Sequence, residues 1–348
     1  MKILALDLSK FKSVGCVYEA ESGAHSFRRV NTKPAELHDL MVELGPERVV
    51  IEVSSISGWV SDLVRALEIE LQVVNTNGEA WRWHNVKQKH DQGDALKLAR
   101  LSAMNQLELV HVPRPEVRQW RAVINYRQHL VGRRTQIKNH IRELLVREGV
   151  VLARGKKCWS QQGCEELIEQ ARSWDEVSIG ELWRGELQSE LQQLRMMQER
   201  IRELETKLEE LAAADDRVGL LQTIPGVGPR LAEAMVALID DPHRFQRGRD
   251  VGAYLGLVPR QYQSGETNRL GRITKRGSKL LRSLLVEVSW VSVRHNRWLR
   301  NIYEKVHRGS KTRRKIAIVA VARHLAVYCW AMLRDGTPWR QPCLDQLS

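Results

Sequence analysis

Apolar residues in the first third of the chain fall into short runs separated by stretches of helical period. Positions 3–8, 13–20, 25–31, 48–53 and 71–75 read as strands, and 34–44 and 57–69 as helices. The second and third runs follow the first closely enough for a hairpin meander, whereas the later runs are separated by helices and should pair in parallel. An open, mixed α/β sheet is predicted. From 113 to about 150 the pattern becomes helical and basic. Over 182–212, Leu187, Leu194, Ile201 and Leu208 share one heptad position and Met197, Leu204 and Leu211 the other, with Glu190 breaking that second series. Such a seam, a coiled coil or long helical hairpin, either joins protomers or packs back on the helix at 118–148. Residues 151–180 follow no regular period and suggest no function.

Two polar positions break the strand pattern. Asp7 lies near the end of Ile3-Leu4-Ala5-Leu6-Asp7-Leu8, and Glu52 repeats the anomaly in Val49-Val50-Ile51-Glu52-Val53. A carboxylate in a core strand is costly unless it is exposed at the strand end, hydrogen-bonded or neutralised by a metal; for Asp7 the plainer alternative is a cap on the turn at Ser9-Lys10. Asp91 and Asp94, three apart, share one face in the first turn of a helix, where capping of amides is again the alternative. Four carboxylates converging at one end of a sheet would repel one another unless cations held them, and oxygen-only ligation suits Mg2+ or Mn2+. Ions held this way activate and stabilise oxygens in phosphodiester chemistry. An Asp on the first strand, a Glu on the fourth and paired Asp on a late helix resemble the ribonuclease-H-like fold in its RuvC resolvase form. Sugar-kinase or actin-like ATPases also open on an Asp-bearing strand, but Ser9-Lys10-Phe11-Lys12 offers no Gly/Thr-rich phosphate loop.

Composition narrows the partners. A chain of 348 residues is long enough for two or three domains, and a net charge of +13 favours a polyanion, nucleic acid ahead of a membrane surface. No stretch reaches the roughly eighteen continuous apolar residues of a spanning helix, and the N-terminus enters a strand without a signal-peptide pattern, so a cytosolic, nucleoid-associated protein without a membrane partner is expected. The five cysteines form no CxxC pair and read as reduced thiols. The basic stretch carries Arg118, Arg121, Arg127, Arg133, Arg134, Lys138 and Arg142 with few acids at helical pairing distance, which suits phosphate tracking; a solvated helix face is the alternative.

The last third holds three further motifs. Leu221-Gln222-Thr223-Ile224-Pro225-Gly226-Val227-Gly228-Pro229-Arg230-Leu231-Ala232 resembles a helix-hairpin-helix, in which Gly226 and Gly228 let backbone amides approach a phosphate. Residues 245–277 contain a short helix and then a glycine-rich loop with Ser264-Gly265 at its tip, followed by Arg269, Arg272, Lys275 and Arg276. A serine there is a turn residue or, amid those cations, a nucleophile on a phosphodiester. After an apolar helix at 278–293 comes the densest basic stretch, ending in Arg313, Arg314 and Lys315, with Trp290, Trp298 and Tyr303 among its cations as in a nucleic-acid groove.

Those motifs, in that order, together with the KHDQGDALKLA segment, Asn139 and AYLGLVPRQYQSGETNRLGRITKRGSKLLR, resemble the DEDD transposases of bacterial insertion sequences. These are also called bridge-RNA-guided recombinases and are related to the Piv-type invertases. The resemblance implies a RuvC-like domain over 1–116, a basic and coiled-coil region over 117–214, and a mainly helical C-terminal transposase domain over 215–348. It implies Asp7, Glu52, Asp91 and Asp94 as Mg2+ ligands and Ser264 as the nucleophile of a phosphoserine–DNA intermediate. It further implies donor and target DNA and a noncoding guide RNA as partners, and a homodimer or tetramer in which an active site combines the acids with Ser264 of the same or another chain. Gln92-Gly93 departs from the family pattern, and glycine there loosens the helix start by up to about 1 kcal/mol. Two other functions fit the same residues: a Mg2+-dependent nuclease or junction resolvase in which water attacks, and a non-catalytic architectural DNA binder.

Overall fold

In the N-terminal third, β1 (Lys2–Asp7), β2 (Lys12–Glu19) and β3 (His25–Asn31) form an antiparallel meander. β1 also pairs in parallel with β4 (Arg48–Glu52), which pairs in parallel with β5 (Glu70–Val74). The strand order β3-β2-β1-β4-β5 is the mixed sheet that the apolar runs predict, and it is consistent with a ribonuclease-H-like domain. The computed structural model describes residues 1–75, 90–264 and 267–341; the side chains of 264, 267 and 268 also lie outside the described residues, as do Gly265 and Cys343. The chain divides into two compact units, Met1–Pro115 and Glu116–Ser348.

Successive strand residues face opposite ways, so β1 supplies two apolar layers. Leu4 and Leu6 pack with Leu37, Leu40 and Met41 of α1 (Pro34–Leu44) and with Val60 and Val64 of α2 (Ser57–Ala66). Ile3 and Ala5 pack on the other face with Val50 and with Ala95, Leu98 and Ala99 of α3 (Asp91–Ala103). The direction of α3 follows from its far end. Arg48, at the start of β4, donates to the Ser102 carbonyl at 3.2 Å, and Ser102 Oγ donates to Gln72 Oε1 at 2.7 Å. The helix therefore runs antiparallel to β1 and β4, with its N-terminus at their carboxyl ends.

In the second unit, α4 (Pro115–Arg147) and α6 (Leu182–Ala213) lie antiparallel. Ile141, Leu144 and Leu145 meet Leu187, Leu191 and Leu194; Leu130 meets Met197 and Ile201; Trp120 and Ile124 share a core with Leu208. Of the two uses left open for the heptad seam, the chain makes the intramolecular one. α5 (Gln161–Gln170) closes the far end through Leu167. The remaining helices are α7 (Asp216–Gln222), α8 (Pro229–Ile239), α9 (Gly248–Tyr254), α10 (Lys279–His295), α11 (Arg297–His307) and α12 (Arg314–Asp335).

They gather around α12, whose Val321, Ala322, Leu325, Ala326, Cys329 and Trp330 are buried. The segment Lys311–Asp335 is long and apolar enough, by length and composition, to cross a membrane, which counting continuous apolar runs did not anticipate. Here half of it is buried within the unit, and Arg323 and His324 interrupt it. The described cysteines Cys16, Cys158, Cys164 and Cys329 are free. Burial pushes the Cys16 thiol up to about 11 and Cys329 up to about 12, so both stay protonated at neutral pH.

Candidate active site

The acids that break the apolar strand pattern are brought to one end of one sheet face. Leu6 of β1 is in register with Ile51 of β4, so the next step sets Asp7 beside Glu52. Neighbouring strands lie about 4.8 Å apart. By the alternation that turns Ile3, Ala5 and Val50 toward α3, Asp7 and Glu52 belong to the same face, and both are half-buried. α3 delivers its N-terminus to that end, with Asp91 exposed and Asp94 half-buried in its first turn. The cap residue His90 makes no side-chain cap, and the Asp94 amide is satisfied by the His90 carbonyl at 2.9 Å. Glycine at 93 does not prevent the helix from starting at Asp91. Hard carboxylate oxygens at one sheet end fit a divalent cation in donor type and location. Among the described residues, however, no three His, Cys, Asp or Glu side chains gather closely enough to hold one.

Sequence reading missed two features of this end. Lys97 follows Asp94 by three residues on α3; burial pushes its ammonium below the ordinary value, while Asp94 pulls it back up. The spacing of three was its signal. Phe11, on the turn that follows Asp7, is 73% exposed between exposed Lys10 and Lys12. An apolar residue between two lysines in a turn was the signal there.

Ser264 sits in a different local structure from the one expected. The glycine-rich loop is a β-hairpin, β6 (Pro259–Ser264) paired with β7 (Thr267–Ile273). Ser264 ends β6 opposite Thr267, and Tyr262 stands opposite Arg269. Arg269, Arg272, Lys275 and Arg276 are exposed along β7 and just beyond it. A two-stranded hairpin is marginal alone; its base is where this one is fixed. A Cβ on Gly256 (φ 65°) would stand 2.2 Å from the Arg276 carbonyl oxygen, and one on Gly277 (φ 75°) 2.0 Å from that of Tyr254. Only glycine lets these two backbone segments interlock.

Across the junction, Arg282 Nη1 donates to the carbonyls of Leu255 (3.1 Å), Arg276 (2.6 Å) and Gly277 (3.1 Å), and burial lowers its guanidinium from the ordinary value. No local sequence signal marks Arg282, because its partners are all main-chain oxygens. Arg282→Ala is expected to cost about 1.5 kcal/mol, the lower end for charge-assisted hydrogen bonds, because two of the three carbonyls are exposed and one is part-buried. It should also remove hydrogen-exchange protection from 259–277 while leaving the first unit unchanged. Unaltered protection would mean that the hairpin is held by something else.

The remaining candidate cations divide. Arg127 pairs with Glu205 of α6, and Arg121 donates to the carbonyls of Ala237 (2.6 Å) and Leu238 (3.2 Å) at the C-terminal end of α8. Lys138 Nζ lies 4.7 Å from the Trp159 ring centroid. The positive face of α4 is therefore partly compensated, by partners from other helices rather than by acids along α4. Arg133, Arg314 and Lys315 are exposed, and Arg134 and Arg313 half-buried. Gly226 (φ 93°) faces α10: a Cβ there would stand 2.6 Å from Ser292 Oγ, so close helix packing already demands glycine. Gly228 precedes Pro229 at the start of α8, and a Cβ there would meet open space.

Comparison with known proteins adds a separate line. Residues 4–149 match the DEDD_Tnp_IS110 family, described as transposase, and residues 218–304 match the transposase IS116/IS110/IS902 family. The chain is 28% identical to a Pseudomonas aeruginosa protein named a probable family 20 transposase, across 98% of this chain and 99% of that one. It is 32% identical to the transposase for insertion sequence element IS1111A of Coxiella burnetii, across 72% of this chain and 68% of the relative. Across 35% of this chain and 38% of the relative it is 32% identical to the pilin gene-inverting protein of Moraxella lacunata.

Proposed function

Because the chain belongs to the IS116/IS110/IS902 family of insertion-sequence transposases, enzymes that cut and join DNA, we propose that it exchanges DNA strands through a phosphoserine intermediate. In this reading Ser264 Oγ attacks a phosphodiester phosphorus, a deoxyribose oxygen leaves with a proton, and the enzyme stays linked to the other DNA end until a new hydroxyl displaces it. Asp7, Glu52, Asp91 and Asp94 would hold a divalent cation once drawn closer together than they stand here, and the cation supplies charge stabilisation at a phosphate oxygen when bound. Arg269, Arg272, Lys275 and Arg276 would bind the phosphates beside Ser264 and steady the charge that develops on phosphorus. The tight-turned pair α7 and α8 would serve as a helix-hairpin-helix on the DNA backbone.

The observation that supports this most is the meeting of Asp7, Glu52 and the first turn of α3 at one end of one sheet face. A noncoding guide RNA, a dimeric or tetrameric assembly and action on the cytoplasmic chromosome complete the proposal, on the resemblance drawn from the sequence. The test is to incubate the protein with DNA carrying its element's ends, with Mg2+ and the RNA transcribed beside the element, and to quench in denaturant. A protein–DNA adduct that survives and maps to the Ser264 peptide is expected. Cleavage without an adduct identifies the water-using nuclease, and binding without Mg2+-dependent cleavage identifies an architectural protein.

A further inference from the structure

On α10 the side chains of Ser283, Glu287, Trp290 and Arg294 recur at helical spacing and are all exposed. Leu281, Leu285 and Ser289, on the opposite side of the helix, are buried. Trp290 therefore presents an indole on the solvent face, where it is 37% exposed. Trp298, read from the sequence alongside it, is 6% exposed and packs against Tyr328, Trp339 and His324. The two tryptophans have separate roles, and only Trp290 is available to a partner.

Around Trp290 the helices build an aromatic step edged with cations. Tyr303 of α11 lies 6.0 Å from it between ring centroids at an interplanar angle of 60°, and His307 stacks on Tyr303 at 5.1 Å and 16°. Arg314, at the start of α12, holds its guanidinium carbon 5.8 Å from the Trp290 ring centroid. Val291 and Ile316 add exposed apolar surface. Residues 291–315 hold nine Lys or Arg and one acid, Glu304. Arg300 is taken up by the Val293 and Arg294 carbonyls at the end of α10, but Arg294, Lys311, Arg314 and Lys315 are exposed. A protein partner would cover apolar surface with apolar surface and would not call for this excess of unmatched positive charge.

We propose that Trp290, Tyr303 and Arg314 form a stacking site for an unpaired nucleotide of single-stranded RNA or DNA, whose neighbouring phosphates are bound by Arg294, Lys311 and Lys315. Bases within a duplex keep their faces covered by neighbours, whereas an unpaired base has a face to offer the indole. The site rests on the nucleic-acid reading proposed above but needs no catalysis, so the two can fail separately.

The first experiment uses the unaltered protein. Single strands of deoxythymidine or uridine carrying one 5-iodouracil are bound, irradiated and mapped; a crosslink to the peptide bearing Trp290 or Tyr303 is expected, and crosslinks confined to other peptides overturn the proposal. The deoxyribose and ribose arms decide which strand the site takes. The second measures affinity against salt. Trp290→Ala is expected to weaken single-strand binding about tenfold, one stacked base being worth about 1–3 kcal/mol, with the salt slope unchanged and duplex affinity within about threefold of the parent. Trp290→Phe should recover part of the loss. Arg314→Ala together with Lys315→Ala should instead flatten the single-strand salt slope by about 0.7 for each phosphate that the variant no longer neutralises. Equal losses on single strand and duplex, or none on either, overturn the stacking site and leave the transposase reading standing; absence of binding to any nucleic acid would bring down both.

Discussion

Ser264→Ala is expected to lower strand exchange by about 10³-fold or more and to abolish the denaturation-resistant DNA adduct, while DNA affinity stays near that of the parent. The fold should survive the change. Ser264 pairs with Thr267 through the main chain at the end of β6, a ladder that alanine can also make. The hairpin is held from its base, by Arg282 and by the interlocked Gly256 and Gly277. The substitution thus removes one hydroxyl and leaves that main-chain pairing in place. Exposed Arg269, Arg272, Lys275 and Arg276 remain to bind phosphate, so an inactive variant that still binds DNA separates chemistry from affinity. Exchange at the parental rate would reduce Ser264 to a turn residue and leave water as the attacking group.

What could be read from the sequence follows the physics of each segment. The five-stranded sheet was legible because β1, β2, β4 and β5 carry buried residues whose pattern is set by the layers on either side, as Leu4 and Leu6 face α1 and α2 while Ile3 and Ala5 face α3; β3, at the sheet edge, was legible from the half-buried Phe27 and Val30. Against so regular a background Asp7 and Glu52 were conspicuous. The β6–β7 hairpin was not legible, because its described residues show no dry face along its length: Tyr262 is 61% and Leu270 69% exposed, and alternating Gln261, Tyr262 and Gln263 read as loop. The charge balance of α4 was legible only in part, for another reason. Counting acids along one helix cannot find Glu205, which answers Arg127 from α6 across 78 positions of sequence. Gly226 illustrates a third limit, since a glycine that admits a phosphate and one that admits Ser292 of a packed helix leave the same letter in the sequence.

Replacing Asp7 with asparagine tests the other half of the chemistry, and its result should differ in kind from that at Ser264. Strand cleavage is expected to fall about 10³-fold, the equivalent of losing some 4 kcal/mol of charge stabilisation at the reacting phosphate. A thermal readout accompanies it. Asp7 lies beside Glu52 on the face that receives the first turn of α3, so the variant carries one less negative charge there, and the melting temperatures of variant and parent without divalent ions serve as the baselines for the ion response. Added Mg2+ should stabilise the parent, by about 2.7 kcal/mol at a hundred times its dissociation constant, and stabilise Asp7→Asn much less. Glu52→Gln should behave alike, since it removes the neighbouring carboxylate. Ser264→Ala, with all four acids intact, should keep the full Mg2+ response. If Asp7→Asn retained both cleavage and the thermal response, Asp7 would be a turn cap after all, and the acids at this sheet end would not form one site.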